Sequence, residues 1–133
     1  MGFIKEYTVQ TKTEGAYNIT KKISEAIAES GVDDGIALVF CPHTTASITI
    51  TENTDEHVTQ DMLLGLKKSL PDREEYTHAE GNSFAHIKSS VLGCSLVLPV
   101  AGGWPMLGPW QNIFFLEFDG PRERRFQVKV IEC

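Results

Sequence analysis

The chain has 133 residues, 41% of them hydrophobic and 23% charged, the proportions of one ordinary globular domain able to bury a core. A formal net charge of −6 speaks against generic nucleic-acid binding, which relies on Lys and Arg to displace counterions from phosphates. No uninterrupted apolar run approaches the roughly 20 residues that cross a bilayer, and Met1-Gly2-Phe3-Ile4-Lys5-Glu6-Tyr7 lacks the layout of a secretory signal. A cytoplasmic protein with no membrane partner is therefore expected.

Phe3 to Thr11 alternates, with Tyr7 and Val9 against Thr8 and Gln10, and reads as a strand. Asn18 suits the N-cap of a helix through Ser30, whose stripe is Ile19, Ile23, Ala26 and Ile27 and whose stop is Gly31. Ile36 to Cys41 is a continuous apolar run, as in a strand covered on both faces. Beyond Pro42-His43, Thr45 to Thr51 alternates, with Ala46, Ile48 and Ile50 on one face. These two strands are read as an antiparallel pair, although their connection is too polar for a plain tight turn. A second helix fits Asp55 to Leu70, with Val58, Met62, Leu63, Leu66 and Leu70 as its stripe and Pro71 as its end. A third fits Ser83 to Val91, capped by Asn82 and followed by Gly93. Ser95 to Val100, Ile113 to Phe118 and Arg125 to Ile131 complete the strands, and a Gly/Pro loop before Ile113 carries Trp104 and Trp110. The expected fold is α+β in a single domain over residues 1–133: a mainly antiparallel sheet of about six strands packed with two or three helices.

Chemistry-bearing residues gather in three segments. His78 and His86 lie within nine residues, with Glu80-Gly81-Asn82 between them, at the start of the third helix. Imidazoles with an open coordination position are the pattern of a catalytic metal centre, although the spacing matches no local zinc motif. Pro42 bends the chain at the end of a strand, so His43 is presented at its edge; a ring bonded to backbone in the turn is the plainer alternative. Glu52, Asn53 and Asp55 sit at a strand-to-helix junction, where a carboxylate or amide is often simply a cap. His57 and Asp61 share a helix face and read as a solvated pair. Arg122 and Arg124 follow Asp119-Gly120-Pro121, and guanidinium forks suit phosphate oxygens. Cys41, Cys94 and Cys133 have no CxxC spacing and form neither a disulfide framework nor a thiolate zinc site; the first two read as buried free thiols.

Taken together, Pro42-His43-Thr44-Thr45-Ala46, Glu52-Asn53 with Asp55, Asp61, His78, Glu80-Gly81-Asn82 and Ala85-His86 resemble the YjbQ family in order and spacing. Leu92-Gly93, Leu107-Gly108, Trp110-Gln111 and Glu117-Phe118-Asp119-Gly120-Pro121-Arg122 extend the resemblance over nearly the whole chain. Phe84 and Pro109 depart from it, in slots where smaller or more polar residues are expected.

The resemblance implies a small homotrimeric α+β protein with a weak, secondary thiamine-phosphate synthase activity. That transferase reaction joins a thiazole phosphate to a pyrimidine methyl diphosphate and releases diphosphate. The resemblance also implies that His43, His78 and His86 share a pocket and hold a divalent metal ion, zinc or magnesium. His43, Glu52, Asp55 and His86 are then the candidate catalytic residues, while Asn82, Arg122 and Arg124 hold the cofactor or clamp phosphate. The partner expected is a small phosphorylated metabolite. No Gly-rich phosphate cradle and no DDxxD-like run is present, so two other readings stand beside it. One is a metal-dependent hydrolase of a small phosphorylated metabolite, the other a non-catalytic trimeric protein that binds a metabolite or metal.

Overall fold

The computed structural model describes residues 2–133. Its elements in chain order are β1 (Phe3–Gln10), β2 (Gly15–Asn18), α1 (Thr20–Ser30), β3 (Gly35–Phe40), β4 (Ala46–Glu52) and α2 (Glu56–Ser69). Then come α3 (Ser83–Leu92), β5 (Ser95–Ala101), β6 (Trp104–Pro105), β7 (Gln111–Glu117) and β8 (Glu123–Glu132). The three helices fall where the periodicity placed them. Among the described residues the strands number eight, in two sheets rather than one, with orders β1-β8-β3-β5-β6 and β2-β7-β4. Every pairing is antiparallel. The short β2 and β6 leave no alternation in the sequence, since neither is long enough to show it.

The hairpin expected between β3 and β4 does not form. β3 pairs with β5 and β8, and β4 pairs with β7. Residues 41–45 instead carry the chain from one sheet to the other. This crossing lets β4 bury both faces. Ala46 and Ile48 enter the main core, while Ser47 faces α3 and donates to the Ser89 carbonyl at 3.2 Å. Ser89 returns a bond to the Ala46 carbonyl at 2.7 Å.

Two apolar clusters give the layers. The larger joins Val39, Leu98, Phe126 and Val128 of the five-stranded sheet to Ile48, Ile113 and Phe115 of the smaller sheet and to Ile23, Ala26 and Ile27 of α1. The smaller lies on the opposite face of β7, where Phe114, Leu116 and Phe118 meet Ala85 of α3 and Leu63 and Leu66 of α2. β7 is thus covered on both sides, as an uninterrupted apolar strand requires. β3 is covered on one side only, for Phe40 is exposed and Leu38 half-buried.

Capping accounts for the helix boundaries. Asp55 accepts from the His57 amide and caps α2. The N-cap position of α1 is Ile19, not Asn18; Asn18 ends β2, and its side-chain oxygen receives the Thr20 amide at 3.0 Å. Asn82 stands at the N-cap position of α3 but makes no capping bond with its side chain, which is engaged elsewhere.

Candidate functional site

The crossing segment sets His43 between the sheets. Its Nε2 accepts the backbone N–H of Arg125 at 2.9 Å, and its ring stands edge-on to Phe115, with centroids 6.5 Å apart. Burial, reinforced by the Arg124 charge, holds its pKa below the ordinary imidazole value. The ring is therefore neutral at pH 7, and with Nε2 accepting, its proton resides on Nδ1.

His78 and His86 come from the turn before α3 and from its first turns. The Gly81 N–H closes that turn onto the His78 carbonyl at 3.0 Å. The two rings meet at right angles, with centroids 5.4 Å apart. All three histidines line one hollow of about 460 Å³, together with Thr44, Glu80 and Asn82. Arg122 and Arg124 complete its wall.

The two arginines have different work. Arg124 is almost wholly buried and forks onto Glu117, Nε to Oε1 at 2.7 Å and Nη2 to Oε2 at 2.5 Å, while Nη2 also donates to Thr45 Oγ1 at 2.7 Å. Glu117 lies fully buried on the core side of β7 and also receives Thr11 Oγ1 at 2.5 Å and the Asp119 amide at 3.0 Å. Burial pushes the Glu117 carboxyl up, but the bonds from Arg124, Thr11 and the Asp119 amide outweigh it and hold the pKa below the usual carboxylate value. The reading of Arg124 as a phosphate clamp is thus narrowed: Nε and Nη2 are spent on Glu117 and Thr45, and only Nη1 remains for a ligand in the hollow that Arg124 lines. Arg122 is half-exposed. It binds Asp119 twice, Nε to the carbonyl and Nη2 to Oδ2, both at 2.8 Å, which leaves its other guanidinium N–H groups for a ligand.

Asp119 links that arginine to the floor. Its Oδ2 also receives Asn82 Nδ2 at 2.8 Å, so the start of α3 is tied to the turn after β7. Gly120 in that turn packs so closely that a Cβ would run into the Lys12 carbonyl oxygen. Its amide bonds the Thr13 carbonyl at 2.9 Å.

Glu52 and Asp55 stand apart from the hollow. Glu52, at the far end of β4, lines a separate hollow with Asn53 and Glu56. Asp55 is taken up by its cap bond to the His57 amide at 2.9 Å and by the His57 ring at 2.8 Å. His57 and Asp61 are exposed but do not pair; the His57 ring meets Asp55 instead. Trp104 and Trp110 are exposed as well and belong to neither cluster of the core.

A divalent ion does not fit the donors that are present. Among the described residues, no three His, Cys, Asp or Glu side chains stand close enough to hold one together. His43 supplies the physical reason, since its Nε2 lone pair is already used by the Arg125 amide. That leaves His78 and His86 as the adjacent pair, so the zinc or magnesium centre expected on His43, His78 and His86 is not assembled.

The supporting network of Glu117, Arg124, Thr45 and Thr11 escaped sequence reasoning. One signal was available: Glu117 is the lone charge in Ile113-Phe114-Phe115-Leu116-Glu117-Phe118, and a carboxylate inside a fully apolar strand demands a buried partner.

Residues 5–133 match the family model described as UPF0047 protein YjbQ-like. The chain is 52% identical to the UPF0047 protein MJ1081 of Methanocaldococcus jannaschii, covering 95% of this chain and 92% of that one. It is 44% identical to the UPF0047 protein YugU of Bacillus subtilis, covering 91% and 92%. Among solved structures, a yjbq/upf0047 family protein of Clostridium acetobutylicum superposes with a TM-score of 0.93 at 50% identity, covering 96% of this chain and 99% of that one. A YbjQ-like protein of unknown function from Sulfolobus solfataricus superposes with a TM-score of 0.95 at 30% identity, covering 100% and 99%.

Proposed function

This chain belongs to the UPF0047 family of YjbQ-like proteins, and from that premise we propose that its histidine hollow binds a small phosphorylated metabolite. The observation that carries the reading is the convergence of His43, His78, His86 and the half-exposed Arg122 on one wall. Imidazole and guanidinium N–H groups are donors to phosphate oxygens, and bonds from a charged donor are roughly twice as strong as neutral ones. His43 enters as a neutral Nδ1–H donor, and Arg122 supplies the fixed positive charge. A volume of about 460 Å³ suits one small molecule.

The finer reading is thiamine-phosphate synthesis at a low rate. The thiazole nitrogen attacks the pyrimidine methylene carbon, a C–N bond forms, and the C–O bond to diphosphate breaks. That nitrogen carries a lone pair and no proton, so the step needs no general base. What it needs is donors where negative charge grows on the departing diphosphate. Arg122, His78 and His86 are the donors assigned to that task, with the Asn82–Asp119 bond holding Arg122 in place. Glu52 and Asp55 have no part in it. A metal-dependent hydrolase is not favoured, because the donor set does not assemble an ion. The reading includes self-association as a homotrimer. Among the described residues, no helix is long and apolar enough to cross a membrane.

Calorimetric titration with inorganic diphosphate and with thiazole phosphate tests the binding, and chromatographic detection of thiamine phosphate tests the reaction. His86→Ala and Arg122→Ala are each expected to weaken binding about tenfold or more, the loss of one charge-assisted bond. Unaltered affinity in both variants, or no binding by the native chain, would overturn the proposal. Binding that responds to both substitutions without any product would make this a metabolite-binding protein.

A further inference from the structure

β3 and β5 pair with Phe40 opposite Ser95. The pairing continues one residue further, for the Cys41 N–H donates to the Cys94 carbonyl at 2.7 Å. Directly opposite residues of an antiparallel pair carry their side chains on the same face, with Cα atoms about 4.5–5.5 Å apart. That separation lies within the roughly 4.4–6.8 Å that a disulfide spans. The alternation of burial agrees with this. Val39 is buried, Phe40 exposed and Cys41 buried again, while Ser95 is exposed and Cys94 packs on the same core cluster as Cys41. Both thiols are free.

Their access to solvent differs. Cys41 is 1% exposed, whereas Cys94 is half-buried and lines a hollow of about 320 Å³ with His43, Thr44 and His86. We propose that Cys94 is a peroxide-sensitive thiol with Cys41 as its resolving partner. The disulfide they close ties the strand end that leads into His43 to the segment that follows α3 and its His86.

The chemistry balances with hydrogen peroxide as the oxidant. The Cys94 sulfur attacks one peroxide oxygen, the O–O bond breaks, and the products are a sulfenic acid and one water. The Cys41 sulfur then attacks the sulfenic sulfur; the S–S bond forms, the S–O bond breaks, and hydroxide leaves as water with the Cys41 proton. Burial keeps Cys41 out of reach of peroxide and pushes its thiol up to about 11, so it carries the proton that leaves with the hydroxide as the S–S bond forms. The order of events follows from access: Cys94, which lines the hollow, is oxidised first and the buried Cys41 resolves it. Cys133 is exposed at the chain end and takes no part.

The test uses the full-length chain carrying Cys133→Ser, treated with equimolar hydrogen peroxide and digested without reductant for mass spectrometry. The expected product is a Cys41–Cys94 peptide pair lighter by two hydrogens and restored by dithiothreitol. In Cys41→Ala, the sulfenic acid persists on Cys94 and is captured by dimedone. In Cys94→Ala, Cys41 stays reduced. NMR resonances of His43 and His86 shift on oxidation and return on reduction. Peptides that remain unlinked with both thiols free would overturn the proposal, and so would Cys41 oxidation at an undiminished rate in Cys94→Ala. Histidine resonances that do not move would overturn the link to the hollow. Mapping the Cys133→Ser protein decides the matter even if Cys41→Ala fails to fold.

Discussion

Glu117 is the residue on which the candidate site rests. Its two oxygens bind Arg124, Thr11 and the Asp119 amide, and Arg124 reaches on to Thr45 beside His43. Glu117→Ala leaves the Arg124 guanidinium buried without its counter-charge, which is expected to cost about 3–5 kcal/mol of stability in urea denaturation. The same pair sets an acid response. A carboxyl whose folded pKa is depressed contributes stability that is present above its unfolded value, about 4.3, and lost as the pH falls through its folded value. The native chain should therefore lose stability below about pH 4.3, and the Glu117→Gln variant should show a shallower loss over that window. Equal slopes in the two proteins would mean that Glu117 titrates normally. His43 follows the opposite logic of partnership: it is held neutral, and its place in the hollow is as a donor whose proton lies on Nδ1.

Among the elements, α2 separates structural work from chemical work. No residue of it is fully buried, and it rests on the second core through the half-buried Leu63 and Leu66. Asp55 holds its first turn by accepting the His57 amide. Asp55→Ala is expected to cost about 1 kcal/mol of stability while leaving diphosphate affinity in the histidine hollow unchanged. A matching fall in affinity would restore Asp55 to the site. The segment between β3 and β4 has the contrary character. It is short, polar and free of regular structure, yet it delivers His43, Thr44 and Thr45 to the hollow because it must cross between sheets.

For the whole molecule, the outward face of the larger sheet is where apolar side chains stay exposed. Val97 is 57% exposed, and Trp104 and Met106 lie at 68% and 59% near the same edge. Leu38 stands opposite Val97, and Ile36 stands opposite Ile131 and Pro99, so apolar side chains from three strands adjoin on that face. An apolar face of this kind favours burial against another copy, which supports the self-association proposed above. Val97→Lys should shift the chain toward monomer in light scattering. If the unaltered chain is monomeric at micromolar concentration, the homotrimer is excluded at that concentration.

Helix positions were legible because amphipathic stripes and their stops are local: Ile23, Ala26 and Ile27 point inward, and Gly31 ends α1 with φ 73°. The gathering of His43, His78 and His86 was legible through their polar neighbours and the family resemblance. Sheet membership was not. Alternation marks a strand but does not say which strand lies beside it, and the apolar run of β3 looked the same whether one face or two were covered. The roles of Arg122 and Arg124 were likewise indistinguishable by spacing, since only the fold shows that one meets a buried carboxylate and the other remains at the rim. Local periodicity thus determined which segments are helix or strand and which polar residues cluster. Tertiary structure decided which strands pair, which nitrogen of His43 is free and which arginine is buried against a carboxylate, because each of these depends on contacts between residues far apart in the chain.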